Sequence, residues 1–209
     1  MHLSRFFILI LLLSLFQSPL IEGATVNGRI VSKVLPDPGD FVVYLKPLSP
    51  TPVIPSAGGA SGISNPQRSS KTYRMDQKGM TFIPHILPIP VGSRIIFGNS
   101  DDEMHIVHST SEAEKFNFSV LPKKESPPKA FNRVGEIQIL CDIHQQMLAY
   151  ILVLETPYFS TSDQGGNFRI DQVPPGKYRL ATWHEKYVSR EKIIDVKRRT
   201  SRLSVELLY

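Results

Sequence analysis

The stretch Glu136-Ile137-Gln138-Ile139-Leu140-Cys141-Asp142-Ile143-His144-Gln145-Gln146-Met147-Leu148-Ala149-Tyr150-Ile151-Leu152-Val153-Leu154 decides how the chain is read. Ile137, Ile139 and Cys141 alternate with Glu136, Gln138 and Leu140, and a period of two marks a strand with one face turned inward. Met147, Ala149, Ile151 and Val153 repeat that period beyond a short loop. Two strands thus aim a thiol and a thioether at the interior, and the loop between them can fold the His144 imidazole over the same point. The spacing is C-x2-H-x2-M. One thiolate, one imidazole and one thioether make a soft, polarisable site that lacks one more nitrogen.

Upstream, Asn99-Ser100-Asp101-Asp102-Glu103-Met104-His105-Ile106-Val107 follows the strand-like run Ile95-Ile96-Phe97 and puts His105 and Val107 on one face. His105, Cys141, His144 and Met147 together give two imidazoles, a thiolate and a weak axial thioether, the ligand set of mononuclear blue copper. Nitrogen and sulfur donors also accept zinc, so a single copper ion is argued here from ligand softness. His108 is the fallback for His105, but its spacing sends it to the opposite strand face, where it reads as a surface side chain. His85 reads as a strand-end residue, His184 as a structural one beside Trp183, and His2 lies in the leader.

These residues carry a resemblance. Ile96-Phe97-x-Asn99-x-Asp101 leading to His105-x-Val107, then Cys141-x-x-His144-x-x-Met147 before an apolar strand, resembles the cupredoxins, and the short loop is similar to that of amicyanin. The resemblance spans roughly residues 73–155. It implies a Greek-key β-sandwich, the four ligands just named, and one-electron transfer with entry at His144. Two positions depart from the family pattern. Ile106 stands where many members place an asparagine, and Ile143 where many have a proline. Ile143 keeps an N–H, which is expected to donate to the Cys141 sulfur and raise the reduction potential. Asn99 is the other residue expected to support the ligands from behind.

Outside this stretch the pattern changes. Gly28-x-Ile30 and Val42-x-Tyr44-Leu45 near the front, with Gly166-x-Phe168-x-Ile170 and Pro174-Pro175-Gly176-x-Tyr178-x-Leu180 at the back, resemble the carboxypeptidase regulatory-like domain, a small antiparallel β-sandwich. In both domains together the chain is similar to exported bacterial "methylamine utilization" proteins. Residues 24–50 and 157–209 are therefore expected to form one split sandwich, with the copper-type domain at 73–156 inserted or flanking. Residues 51–72, rich in Pro, Gly and Ser, read as a linker. The segment 112–133, with Pro122, Pro127, Pro128 and several lysines, reads as a surface excursion.

The N-terminus sets the compartment. Arg5 precedes an eleven-residue, almost wholly apolar run at 6–16, broken by Gln17-Ser18-Pro19, with small Gly23 offered for cleavage. That is the three-part form of a secretory signal at 1–23, and the run falls short of the roughly 20 residues a membrane span needs. Export, with the periplasm as destination, removes nucleic acid as a partner.

Composition agrees with an all-β chain. Its 209 residues include 17 prolines and 13 glycines, which leave little room for long helices, and 21% charged residues exclude a multi-pass membrane protein. The one cysteine excludes a disulfide framework, a multi-thiolate zinc site and a binuclear purple-copper centre. The absence of paired H-x-H motifs argues against a multicopper oxidase, and no enzyme activity is expected. The formal charge of +5 is uneven: residues 177–202 hold nine Lys and Arg against three acids. Such a face suits an acidic redox partner or peripheral contact with an anionic membrane. The chain reads as an exported one-electron carrier. Copper delivery or buffering, or a structural sandwich with a vestigial site, stand as alternatives.

Overall fold

The structure, a computed structural model, describes residues 23–31, 39–49, 71–187 and 189–197, and the backbone of 202–208. Residues 1–22 of the expected leader and 51–70 of the expected linker lie outside the described residues, while Thr72, read as the end of the linker, opens a strand. Among the described residues every regular element is a strand. In chain order these are β1 (Ala24–Val31), β2 (Val42–Pro47), β3 (Thr72–Gln77), β4 (Phe82–Ile83), β5 (Ile86–Pro90), β6 (Arg94–Phe97), β7 (His105–Ser109) and β8 (Phe116–Val120). They continue with β9 (Lys129–Ala130), β10 (Gly135–Cys141), β11 (Leu148–Leu154), β12 (Phe159–Thr161), β13 (Asn167–Val173), β14 (Gly176–Trp183), β15 (Glu191–Val196) and β16 (Arg202–Leu208).

Four sheets make two sandwiches. A five-stranded sheet, β5-β11-β10-β7-β8, covers a four-stranded one, β4-β3-β6-β9. Between them Ile137, Ile139, Cys141, Met147, Ala149 and Ile151 pack on Met75, Ile95 and Phe97. The second sandwich sets β13-β1-β16 against β12-β2-β14-β15. Its core joins Val26, Ile30, Phe168 and Ile170 to Leu45, Tyr178, Leu180 and Ile194. β1 runs parallel to β16, so this sheet is mixed where an antiparallel one was expected.

Three further features differ from the sequence expectations. Residues 112–133 are no surface excursion. β8 pairs with β7 in the register Val107↔Phe118, and Val120 and Phe131 are buried. Phe116 and Phe118 stack at 5.4 Å, and each closes on Phe97, at 5.9 and 5.5 Å. The prolines and Lys115, Lys123 and Lys124 fall in the connections around this strand and Lys129 lies in β9, while β8 itself alternates Phe116-Asn117-Phe118-Ser119-Val120. Ile86-Leu87-Pro88-Ile89-Pro90 forms an unexpected strand, β5, parallel to β11 at one end of its sheet. Proline has no amide to give a ladder, and an edge strand is where that omission is tolerated. Finally, the run Met80-Thr81-Phe82-Ile83, strand-like by its residues, is strand over Phe82–Ile83 alone, because Gly79 and Met80 both take left-handed backbone, at φ 63 and 55.

β11 is buried on both faces, which explains its unbroken apolar run. Ala149, Ile151 and Val153 enter the first core, while Leu152 and Leu154 join Val42 and Ile86 in a third cluster flanked by Tyr44, Tyr150, Phe159 and Trp183. That cluster binds the two sandwiches. Around it the Trp183 indole donates to Glu136 Oε2 at 2.9 Å, and His85 Nε2 lies 3.2 Å from Glu185 Oε2.

Candidate metal centre

Two of the donors are delivered by strand ends and the third by the turn between strands. Cys141 closes β10 and is 4% exposed; His105 opens β7 and is fully buried. The antiparallel pair Cys141↔Val107 brings these two ends together. The amide of Asp142 donates to Ile106 O, which carries the chain from β10 into the loop beside His105. A turn closed by the bond from Met147 N to His144 O then returns the chain to β11. His144 sits at the rim with 14% of its side chain exposed, and Met147 is buried in the same core cluster as Cys141. Ile143, beside His144, is exposed.

The geometry is close. His105 Nδ1 and His144 Nδ1 are 3.1 Å apart, and Cys141 Sγ lies 3.8 and 3.9 Å from them. Donor atoms of all three residues fall within 4.8 Å of one another. Those three separations place a point in their common plane about 2.1 Å from each atom, within the span of imidazole and thiolate bonds to a zinc-sized ion. The residues present therefore fit a metal ion held by two nitrogens and one sulfur, in the plane expected for a trigonal site. Among the described residues the hydrogen-bonding neighbours of Cys141 Sγ are these two imidazoles; the Ile143 amide is not one of them.

The far nitrogens of both rings meet carboxylates that the sequence reading did not assign. His105 Nε2 donates to Asp101 Oδ2 at 3.0 Å, and His144 Nε2 lies 3.3 Å from Glu103 Oε2. A carboxylate only accepts, so the His105 proton sits on Nε2 and its Nδ1 lone pair faces Cys141 and His144. Burial pushes the Asp101 carboxyl up, but the amides of Met80 and Gly79 and the His105 ring outweigh burial and hold it below the ordinary value. The signal lay in the acidic run 101–103, four and two residues before His105.

Asn99 lies behind the ligand loop. It is 2% exposed; its Nδ2 donates to Glu103 O at 2.7 Å and Val120 O at 3.0 Å, and its Oδ1 accepts from the Asp101 amide. Asn99→Ala removes the three hydrogen bonds that this buried side chain makes to Glu103 O, Val120 O and the Asp101 amide, and is expected to cost about 1–3 kcal/mol. Chemical denaturation checks this; a loss no larger than the about 0.5 kcal/mol of a surface change would show that the loop holds without it.

The remaining histidines are engaged elsewhere. His108 Nδ1 lies 2.9 Å from Asp142 Oδ1, on the strand face away from the centre and mostly covered. His85 Nδ1 contacts Leu148 O at 3.0 Å. His184 packs between Phe41 and Tyr187, where burial lowers its pKa.

The sequence matches no family model and no curated protein. Solved structures similar to part of the chain include cupredoxins. The purple cupredoxin of Nitrosopumilus maritimus is 19% identical with a TM-score of 0.35, covering 39% of this chain and 98% of its own. The amicyanin of Paracoccus versutus is 14% identical with a TM-score of 0.37, covering 41% and 84%. The Cu(I) form of a point mutant of amicyanin is 17% identical with a TM-score of 0.36, covering 40% and 82%.

Proposed function

We propose that the chain binds one copper ion through His105, Cys141 and His144, with Met147 as a weak fourth ligand, and carries single electrons. The observation that carries this reading is the triangle of two imidazole nitrogens and one sulfur, buried at His105 and Cys141 and sized for one ion. When bound, the copper supplies the change of oxidation state. The chain supplies a frame: two ligands sit on paired strands and the third on a turn tied to one of them, so little need move when charge changes. His144 at the rim, next to exposed Ile143, gives electrons a short way in and out.

Export to the periplasm follows from the leader at 1–23, and the basic C-terminal stretch suits an acidic redox partner or an anionic membrane surface. The flanking sandwich, of carboxypeptidase regulatory-like type by its sequence pattern, contributes no donor to the triangle and acts as support. No catalytic step is assigned.

Purified protein titrated with Cu(II) is expected to take up one equivalent. It should develop an intense visible thiolate-to-copper band, show a narrow EPR hyperfine splitting and give a reversible one-electron potential. Tight colourless Cu(I) binding with no reversible potential would replace this reading by copper delivery. No uptake of copper would overturn it.

A further inference from the structure

The carboxylate behind His105 is held more firmly than a surface acid. Asp101 Oδ1 accepts from the Gly79 amide at 2.6 Å, and Oδ2 accepts from the Met80 amide at 3.0 Å as well as from His105 Nε2. Gly79 and Met80 present those amides by adopting left-handed backbone in succession, a conformation that costs Met80 free energy and persists because the surroundings hold it. The same turn reaches the other ligand loop, since Gln146 Nε2 donates to Met80 Sδ at 3.8 Å. Three loops, at 78–81, 99–104 and 141–147, therefore meet around one carboxylate–imidazole pair.

We propose that Asp101 is a positioning residue of the metal centre: it fixes the His105 proton on Nε2, aims Nδ1 at the ion, and favours the more highly charged oxidation state. This rests on the copper reading above for its redox half only. The physical cause is direct. A carboxylate accepting from the far nitrogen of a ligand imidazole fixes ring and tautomer and makes the near nitrogen a stronger donor. A stronger donor favours Cu(II) over Cu(I). Glu103 stands in a like position to His144, but at 3.3 Å and with 71% of its side chain exposed, so water screens it and its influence is the smaller.

Two measurements test the proposal. In metal-free wild-type protein, a nitrogen-15 NMR correlation of the His105 ring is expected to show a protected Nε2–H; an unprotonated Nε2 overturns the proposal whether or not copper binds. Asp101→Asn is then compared with Glu103→Gln and wild type for Cu(II) and Cu(I) affinity and reduction potential. Asp101→Asn should lower the ratio of Cu(II) to Cu(I) affinity at least tenfold, a rise in potential of about 59 mV per tenfold for one electron, and Glu103→Gln should change it less. A folded Asp101→Asn protein with an unchanged ratio and an unchanged ring signal sinks the proposal. Failure of wild type to take up copper sinks the copper reading instead, and the ring signal still decides the role of Asp101.

Discussion

Cys141→Ser is expected to remove the intense visible band altogether and to weaken copper binding by more than the roughly 10–100-fold typical of losing a residue behind a ligand. The colour requires a sulfur-to-metal bond, which a serine oxygen does not supply. The substitution is nearly isosteric at a site 4% exposed, and β10 keeps its pairing with β11 from Gly135↔Val153 to Leu140↔Leu148. The hydroxyl is smaller than the thiol and strains nothing around it, so the fold should survive with the chemistry gone. Absorption and EPR spectra of the copper-treated variant, alongside circular dichroism, give the result. A band surviving without the thiol would mean that another residue holds the metal.

Phe97→Ala is expected to produce the largest loss of stability, about 3–5 kcal/mol for a fully enclosed aromatic side chain. At roughly 2–4 °C per kcal/mol for a chain of this size, the melting temperature should fall by about 6–20 °C. The reason is its position. Phe97 ends β6, is completely buried, and meets Phe116 and Phe118 of β8 edge-on or tilted. Truncation hollows the core directly beneath the strand that carries His105, so metal uptake should weaken as well. Leu121→Ala, one residue beyond β8 with 56% of the side chain exposed, serves as the comparison and should stay within about 0.5 kcal/mol. Calorimetry of the two variants separates them; equal losses would mean that the aromatic cluster does not hold β8 down.

The parts of this architecture that are legible in advance are those where one residue pattern has one physical meaning. Alternation in Ile137, Ile139 and Cys141 puts the thiol inside, and the C-x2-H-x2-M spacing brings His144 back over it. The structure holds the thiol and the ring nitrogen 3.9 Å apart.

The misses share a cause: composition outweighs alternation. Lysines and prolines hide β8, whose inward residues are aromatic, and Pro88 and Pro90 hide β5, which needs few amides of its own at a sheet edge. Asp101 and Glu103 are unreadable as partners of the imidazoles for a different reason. Their role depends on which ring nitrogen faces the sulfur, and that is set by the meeting of three loops, one of them bent by Gly79 and Met80. No local spacing encodes it. The expected bond from the Ile143 amide to sulfur likewise depends on loop conformation, and the loop instead turns the neighbouring Asp142 amide toward Ile106.

The two-faced burial of β11 has a consequence for dissecting this chain. Since each sandwich claims one of its faces, neither half is a spare part: a metal-binding piece lifted out alone would carry the bare oily row of Ile86, Leu152 and Leu154, and would stick to its own kind. The flanking half is thus a standing cover for that row.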